Sequence, residues 1–136
     1  MIRVLVIDDD ESVRAAIETL LRQQNCIVVL ADNGVVGTQT FEAFNFDVVM
    51  VDIFMPGMDG LETIKAFHSR MPTVPIVAMS GFRFRSTLAS APDFLGMAAE
   101  LGATYCLRKP FGQRELLTAI NACLGHRFPI KRPVEA

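Results

Sequence analysis

Five short apolar runs recur along the chain with helical patterns between them, and most end abruptly in polar or charged residues. Residues 3–7 (RVLVI) stop at Asp8-Asp9-Asp10, and residues 48–51 (VVMV) stop at Asp52. Residues 75–79 (PIVAM) stop at Ser80-Gly81, and residues 104–108 (TYCLR) stop at Lys109-Pro110. The second run, residues 26–31, closes on the turn signal Asp32-Asn33-Gly34. Unbroken β-branched runs of this length need cover on both faces, which helices on either side of a parallel sheet supply. Val13, Ala16, Ile17, Leu20 and Leu21 predict a helix over 11–25. A weaker stripe, interrupted by Gly37, predicts one over 35–46. Leu61, Ile64, Ala66 and Phe67 predict a third over 59–70, and a fourth is expected over 92–101. Leu116, Leu117, Ile120 and Leu124 predict the last over 113–124, with Gly125 as its stop. A βα unit repeated five times with right-handed crossovers is an α/β sandwich around a parallel sheet.

In such a sheet, ligands bind beyond the carboxyl ends of the strands. Those ends carry Asp8 and Asp9, then Asp52, Ser80 and Lys109, whereas the second strand contributes nothing reactive, as befits an edge. Three neighbouring carboxylates resist simultaneous ionisation unless a cation offsets them. Hard oxygen ligands without His or Cys point to Mg2+, or Mn2+ in its place, rather than zinc. A lysine and a hydroxyl beside a nucleophilic carboxylate add the charge stabilisation that phosphoryl transfer requires. Taken singly, Asp8 or Asp9 reads equally as a helix cap, Ser80 as a strand-end hydroxyl and Lys109 as a solvated lysine. Asp10 is the natural N-cap of the first helix.

Composition narrows the classes. The 136 residues are 51% hydrophobic, which suits one domain with a sheet buried on both faces. A net charge of −2 gives no bulk attraction for nucleic acid or anionic membranes. Cys26, Cys106 and Cys123 form no CxxC pair, and His68 and His126 no ligand cluster, so a reduced, cytoplasmic setting without a zinc site is expected. No leader-like stretch precedes the first strand, and no apolar run approaches a membrane span. Residues 126–136 (HRFPIKRPVEA) lack core periodicity and read as a disordered end.

The acidic pair Asp8-Asp9, the D-x-x-x-P-x-x-x-G stretch of Asp52, Pro56 and Gly60, the Ser80-Gly81 pair and K-P-F at Lys109, Pro110 and Phe111 stand in order, at successive strand ends. In this the chain resembles the receiver domain of two-component response regulators, over residues 2–125. The resemblance implies a flavodoxin-like three-layer fold, a five-stranded parallel sheet of order 2-1-3-4-5 with five helices. It implies that Asp52 accepts a phosphoryl group from a histidine kinase or histidine phosphotransfer protein. Asp9, Asp52 and the backbone carbonyl of Phe54 would hold Mg2+, with Asp8 assisting, partly through water. Ser80 would bind the phosphoryl group and Lys109 pair with it. The Lys109–Pro110 bond is expected cis, and Phe111 is expected to pack rather than switch. Phosphorylation would then shift a population whose last two βα units present a partner surface, in a monomer or a phosphorylation-dependent dimer. Residues 1–125 would form the receiver domain and 126–136 a tail with no output domain. The chain would be a signalling module rather than an enzyme, beyond catalysing its own phosphorylation and dephosphorylation.

The chain departs from that pattern in three places. Three residues before Lys109 the family usually carries an aromatic, but here stands Cys106, read as a core residue, while Tyr105 faces the other way. Ser80 and Lys109 lie 29 residues apart, a longer connection than is usual, in which Phe82 and Phe84 form either a lid or a packed loop. Phe54 and Phe82 flank the route of a hydrolytic water without a polar group to orient it, which predicts a slowly lost phosphoryl group. Two other readings compete. A dehalogenase-superfamily phosphatase would use Asp8 as nucleophile in Asp8-x-Asp10 with Ser80 and Lys109. It lacks the later acidic pair, since only Glu115 and Glu135 follow the lysine, and it leaves Asp52 and Pro56 unexplained. A receiver-like binding module that is never phosphorylated is the other.

Overall fold

The computed structural model describes residues 1–55, 60–81 and 94–130. Strands β1 (Arg3–Ile7), β2 (Ile27–Ala31), β3 (Val48–Asp52), β4 (Ile76–Ser80) and β5 (Tyr105–Arg108) alternate with five helices. These are α1 (Glu11–Arg22), α2 (Gly34–Ala43), α3 (Gly60–Arg70), α4 (Phe94–Leu101) and α5 (Gln113–Leu124). The sheet is parallel throughout and runs β2-β1-β3-β4-β5, the expected order, with β2 at an edge. Pro56, Gly57, Asp59, Phe82 and Phe84 lie outside the described residues, as does the long connection after Ser80.

Burial follows the strand period. Val4, Val6, Val48, Met50, Val77 and Met79 point to one side, against Ile17 and Leu21 of α1 and Leu116, Ala119 and Ile120 of α5. Leu5, Ile7, Val49, Val51, Ile76 and Ala78 point to the other, against Phe41 of α2, Ile64 and Phe67 of α3 and Ala98 of α4. The three inner strands are therefore apolar and buried from Val4 to Ile7, Val48 to Val51 and Ile76 to Met79, while the edge strands β2 and β5 are partly exposed. Phe41 and Phe67 stack across α2 and α3 with ring centroids 4.3 Å apart. Such a pair adds roughly 0.5–1.5 kcal/mol beyond the area it buries.

Helix ends account for most boundary differences. Asp10 caps α1 as expected, its carboxylate accepting from the N–H groups of Ser12 and Val13. The helix stops at Arg22 rather than at residue 25, because Asn25 takes a left-handed φ of 62° and the Cys26 N–H returns to the Leu21 carbonyl. Asn33, expected as part of a turn, is also the N-cap of α2, accepting from the Val36 N–H. That helix ends at Ala43, short of the expected residue 46, because Phe44 is extended.

Gly37, which weakens the apolar stripe of α2, also has a packing reason: a Cβ there would sit 2.4 Å from Ile7 Cδ1, so its absence lets α2 lie directly on β1. One expectation is corrected. Residues 126–130 are not a loose end. Asn121 of α5 accepts from the N–H groups of Arg127 and Phe128 and donates to the Phe128 carbonyl, and Phe128 packs on the α1–α5 core. Composition alone could not show this, because one asparagine and one aromatic make the attachment. Residues 131–136 lie outside the described residues.

Gly37→Ala should destabilise the fold by roughly 1–3 kcal/mol, the usual cost of overpacking a tight contact. Urea denaturation checks this, with an unchanged m-value expected because the exposed area hardly alters.

Candidate functional site

β1 and β3 are neighbours in the sheet, so their carboxyl ends bring acids together. Asp8 follows Ile7 and extends the pairing by one step, its N–H donating to the Ala31 carbonyl at 3.1 Å. Its side chain is fully buried, Asp52 at the end of β3 is 4% exposed, and Asp9 faces solvent. One carboxylate oxygen from each of Asp8, Asp9 and Asp52 lies within 4.8 Å of the others. Asp10 is not in this cluster, since its carboxylate serves as the α1 cap. The Asp8-x-Asp10 arrangement of a phosphatase is therefore not assembled.

Lys109, one residue past β5, reaches back across the sheet end. Its ammonium lies 2.5 Å from Asp8 Oδ2 and 3.4 Å from Asp52 Oδ2, so in this state its tighter partner is Asp8. The Lys109–Pro110 bond is cis, as expected. Ser80 ends β4, 8% exposed, where Met79 is registered with Asp52. The Ser80 carbonyl accepts the Lys109 N–H at 2.8 Å, which ties the ends of β4 and β5 together. The Phe54 N–H donates to Asp52 Oδ1 at 3.0 Å, and its ring is half-buried. Phe111 packs against the α1–α5 core, in keeping with a packing role. Cys106 packs on the α4 side of the sheet and Tyr105 on the α1–α5 side, so the tyrosine does not replace the missing ring.

Burial dominates the electrostatics of Asp52. Its carboxyl is pushed up to about 6 by loss of solvent, with the charge of Asp8 adding to the rise. The Phe54 N–H and the Lys109 ammonium act against it. Three carboxylates thus face one ion-paired ammonium among the described residues. An all-oxygen, net anionic set of this kind fits a hard divalent cation such as magnesium.

One feature carried no sequence signal of its own, and a second, Gly60, was marked only as part of the D-x-x-x-P-x-x-x-G stretch. The Arg14 guanidinium donates to the Asp8 carbonyl at 2.8 Å, a contact between a helix face and a strand end that spacing alone does not reveal. At Gly60, the start of α3, a Cβ would fall 2.1 Å from the Asp52 carbonyl oxygen and 2.4 Å from Ile53 Cα. Only a glycine lets α3 begin so close beneath the strand end that carries Asp52.

The titration of Asp52 has a definite sign. Because its folded pKa, about 6, exceeds the ordinary 3.8, its contribution to stability is complete below the unfolded value and lost as pH rises through about 6. Ionised Asp52 therefore burdens the metal-free fold at neutral pH. Asp52→Asn should stabilise the protein in EDTA at pH 7.5 by roughly 1–3 kcal/mol, and by distinctly less at pH 4.5. Paired urea melts at the two pH values test it.

Comparison with known proteins places this geometry in a family. The sequence matches the response regulator receiver domain over residues 4–121. It is 32% identical over 131 residues to the transcriptional regulatory protein ZraR of Klebsiella oxytoca, covering 96% of this chain and 28% of that protein. It is 33% identical over 127 residues to a CpxR homolog of Haemophilus influenzae, covering 91% of this chain and 51% of that one. The chain thus spans about half the length, or less, of these curated relatives. Among solved structures, a receiver domain protein from Clostridium thermocellum superposes with a TM-score of 0.81 at 26% identity, covering 93% of this chain and 97% of that one. The chemotaxis protein CheY4 of Vibrio cholerae superposes with a TM-score of 0.77 at 28% identity, covering 89% and 97%. With the family matched over most of its length and the acids, lysine and hydroxyl residue at successive strand ends, the chain belongs to the response regulator receiver domains.

Proposed function

We propose that Asp52 is the phosphoacceptor of this receiver and that its phosphorylation by a histidine kinase or histidine phosphotransfer protein is the signal. The observation that carries the reading is the convergence of Asp8, Asp9 and Asp52 with the Lys109 ammonium at the carboxyl end of the sheet. An Asp52 carboxylate oxygen attacks the phosphorus of a phosphohistidine. The new P–O bond forms as the P–N bond breaks, and its electron pair returns to the imidazole nitrogen, which takes up a proton. Asp9, Asp52 and the Phe54 carbonyl, with Asp8 assisting, would hold Mg2+ or Mn2+. When bound, the cation neutralises charge on the phosphoryl oxygens. Lys109 contributes the fixed positive charge on the other side, and Ser80 a hydroxyl that donates to a phosphoryl oxygen. Burial aids the carboxylate as nucleophile, since water is kept from it on the protein side.

The functional unit is residues 1–125 followed by a tail, acting as a signalling domain rather than turning over a small substrate. A cytoplasmic location accords with a reduced cysteine set, and no helix among the described residues is long and apolar enough to cross a membrane. Several relatives are named as transcriptional regulators, but for this chain a protein partner is favoured over direct nucleic-acid contact, given its net charge of −2. A monomer or a phosphorylation-dependent dimer presents the switched surface.

Incubation with acetyl phosphate and magnesium should add the mass of one phosphoryl group to the intact protein and none to Asp52→Asn. Labelling that survives the substitution would overturn the assignment. Phe54 places no polar group where a hydrolytic water must be oriented, so the phosphoryl group should be lost slowly. Phe54→Asn should hasten that loss several-fold in a time course after the donor is removed; fast loss in the parent protein, unchanged in the variant, refutes this.

A further inference from the structure

Asp8 has a partner for each of its polar groups. Its N–H donates to the Ala31 carbonyl, its Oδ1 accepts from the Asp10 N–H at 2.9 Å, its Oδ2 meets Lys109, and its carbonyl accepts from Arg14 Nη1 at 2.8 Å. Two of these contacts lead into the same helix. Asp10, which donates to Asp8, accepts the N–H groups of Ser12 and Val13 at the start of α1, and the Arg14 N–H donates to the Asp10 carbonyl at 3.1 Å. The Arg14 side chain then returns to the Asp8 carbonyl. The result is a closed ring of hydrogen bonds: Asp8 carboxylate, Asp10, the first turn of α1, the Arg14 guanidinium and the Asp8 carbonyl.

We infer that Arg14 is a positioning residue for the metal-binding acids, acting through the Asp8 carbonyl. The inference rests on the reading of Asp8, Asp9 and Asp52 as a divalent-cation site. The peptide unit that Arg14 grips joins Asp8 to Asp9. Its orientation sets the direction in which the exposed Asp9 side chain leaves the chain, and hence whether the third carboxylate meets the other two. Without the guanidinium, the Asp8 carbonyl loses its partner, and the peptide that carries Asp9 is oriented only through its neighbours, the Asp8 carboxylate and the Asp10 cap. Partners that orient ligands from behind are typically worth ten- to a hundredfold in metal affinity.

The sign of the effect separates positioning from charge. A cation beside the site repels another cation, so removing Arg14 would tighten metal binding if its charge were all that mattered. Positioning predicts the reverse.

Mn2+ binding to the full chain, followed by electron paramagnetic resonance of the free ion, gives the test. The parent protein should bind one Mn2+ in a manner that Asp9→Asn abolishes. Arg14→Met should bind it roughly tenfold more weakly. Arg14→Lys keeps the charge but offers a compact donor in place of the planar fork, and should recover only part of the loss. The urea midpoint of each variant should stay near that of the parent. Equal or tighter binding by Arg14→Met overturns the inference while leaving the metal site intact. Should that variant not fold, Arg14→Lys decides alone, and parental affinity in it overturns the inference. Absence of Asp9-dependent binding in the parent refutes the metal-site reading itself, and the role of Arg14 with it.

Discussion

Mutual repulsion among Asp8, Asp9 and Asp52 is the constraint around which the top of this molecule is built. Carboxylates gathered within 4.8 Å of one another are costly, the more so when two of them are buried. The fold sustains them by several means. The Lys109 ammonium bridges Asp8 and Asp52, backbone N–H groups of Asp10 and Phe54 point at carboxylate oxygens, and Asp52 holds its proton more firmly than an exposed aspartate. Each arrangement draws on a different element of the chain. The sheet supplies proximity, the residue just past β5 the ammonium, and the two loops the amides.

That unfavourable cluster is tolerated because the layers beneath it are so regular. The inner strands are apolar on both faces and leave the sheet little freedom to slide. A shift of β3 by one residue that drew Asp52 into the core would leave Ile53 in its place at the sheet end. The site therefore inherits its geometry from the register, and the glycines at 37 and 60 set how closely α2 and α3 approach it. Stability resides in the two apolar layers, and reactivity sits where those layers end.

The alternation of strands and helices, the α1 cap and the identities of the clustered acids were legible in the sequence, because each follows from periodicity or from a polar residue closing an apolar run, whereas the sheet order was implied by the resemblance to a known family. The less legible parts share a physical character. Asn25 ends α1 through one left-handed residue, and Asn121 ties down residues 127 and 128 through a single side chain. Arg14 finds a carbonyl six residues back, across a helix start. Such contacts join few atoms and leave no repeat in the chain. Lys109 is an intermediate case. Its place at the site was readable from the strand end, but its preference for Asp8 over Asp52 depends on distances that only the folded chain defines.

The hydrogen bond from the Lys109 N–H to the Ser80 carbonyl has a mechanical meaning. The two residues proposed to grip a phosphoryl group from either side share a main-chain link and leave the sheet from adjacent strands. A pull on one is a pull on the other, transmitted through stiff peptide planes instead of a pivoting ring. With the small Cys106 on the α4 side of β5, any motion at the strand ends would travel as a displacement of the β4–β5 pair as one body, carried to the helices packed on it.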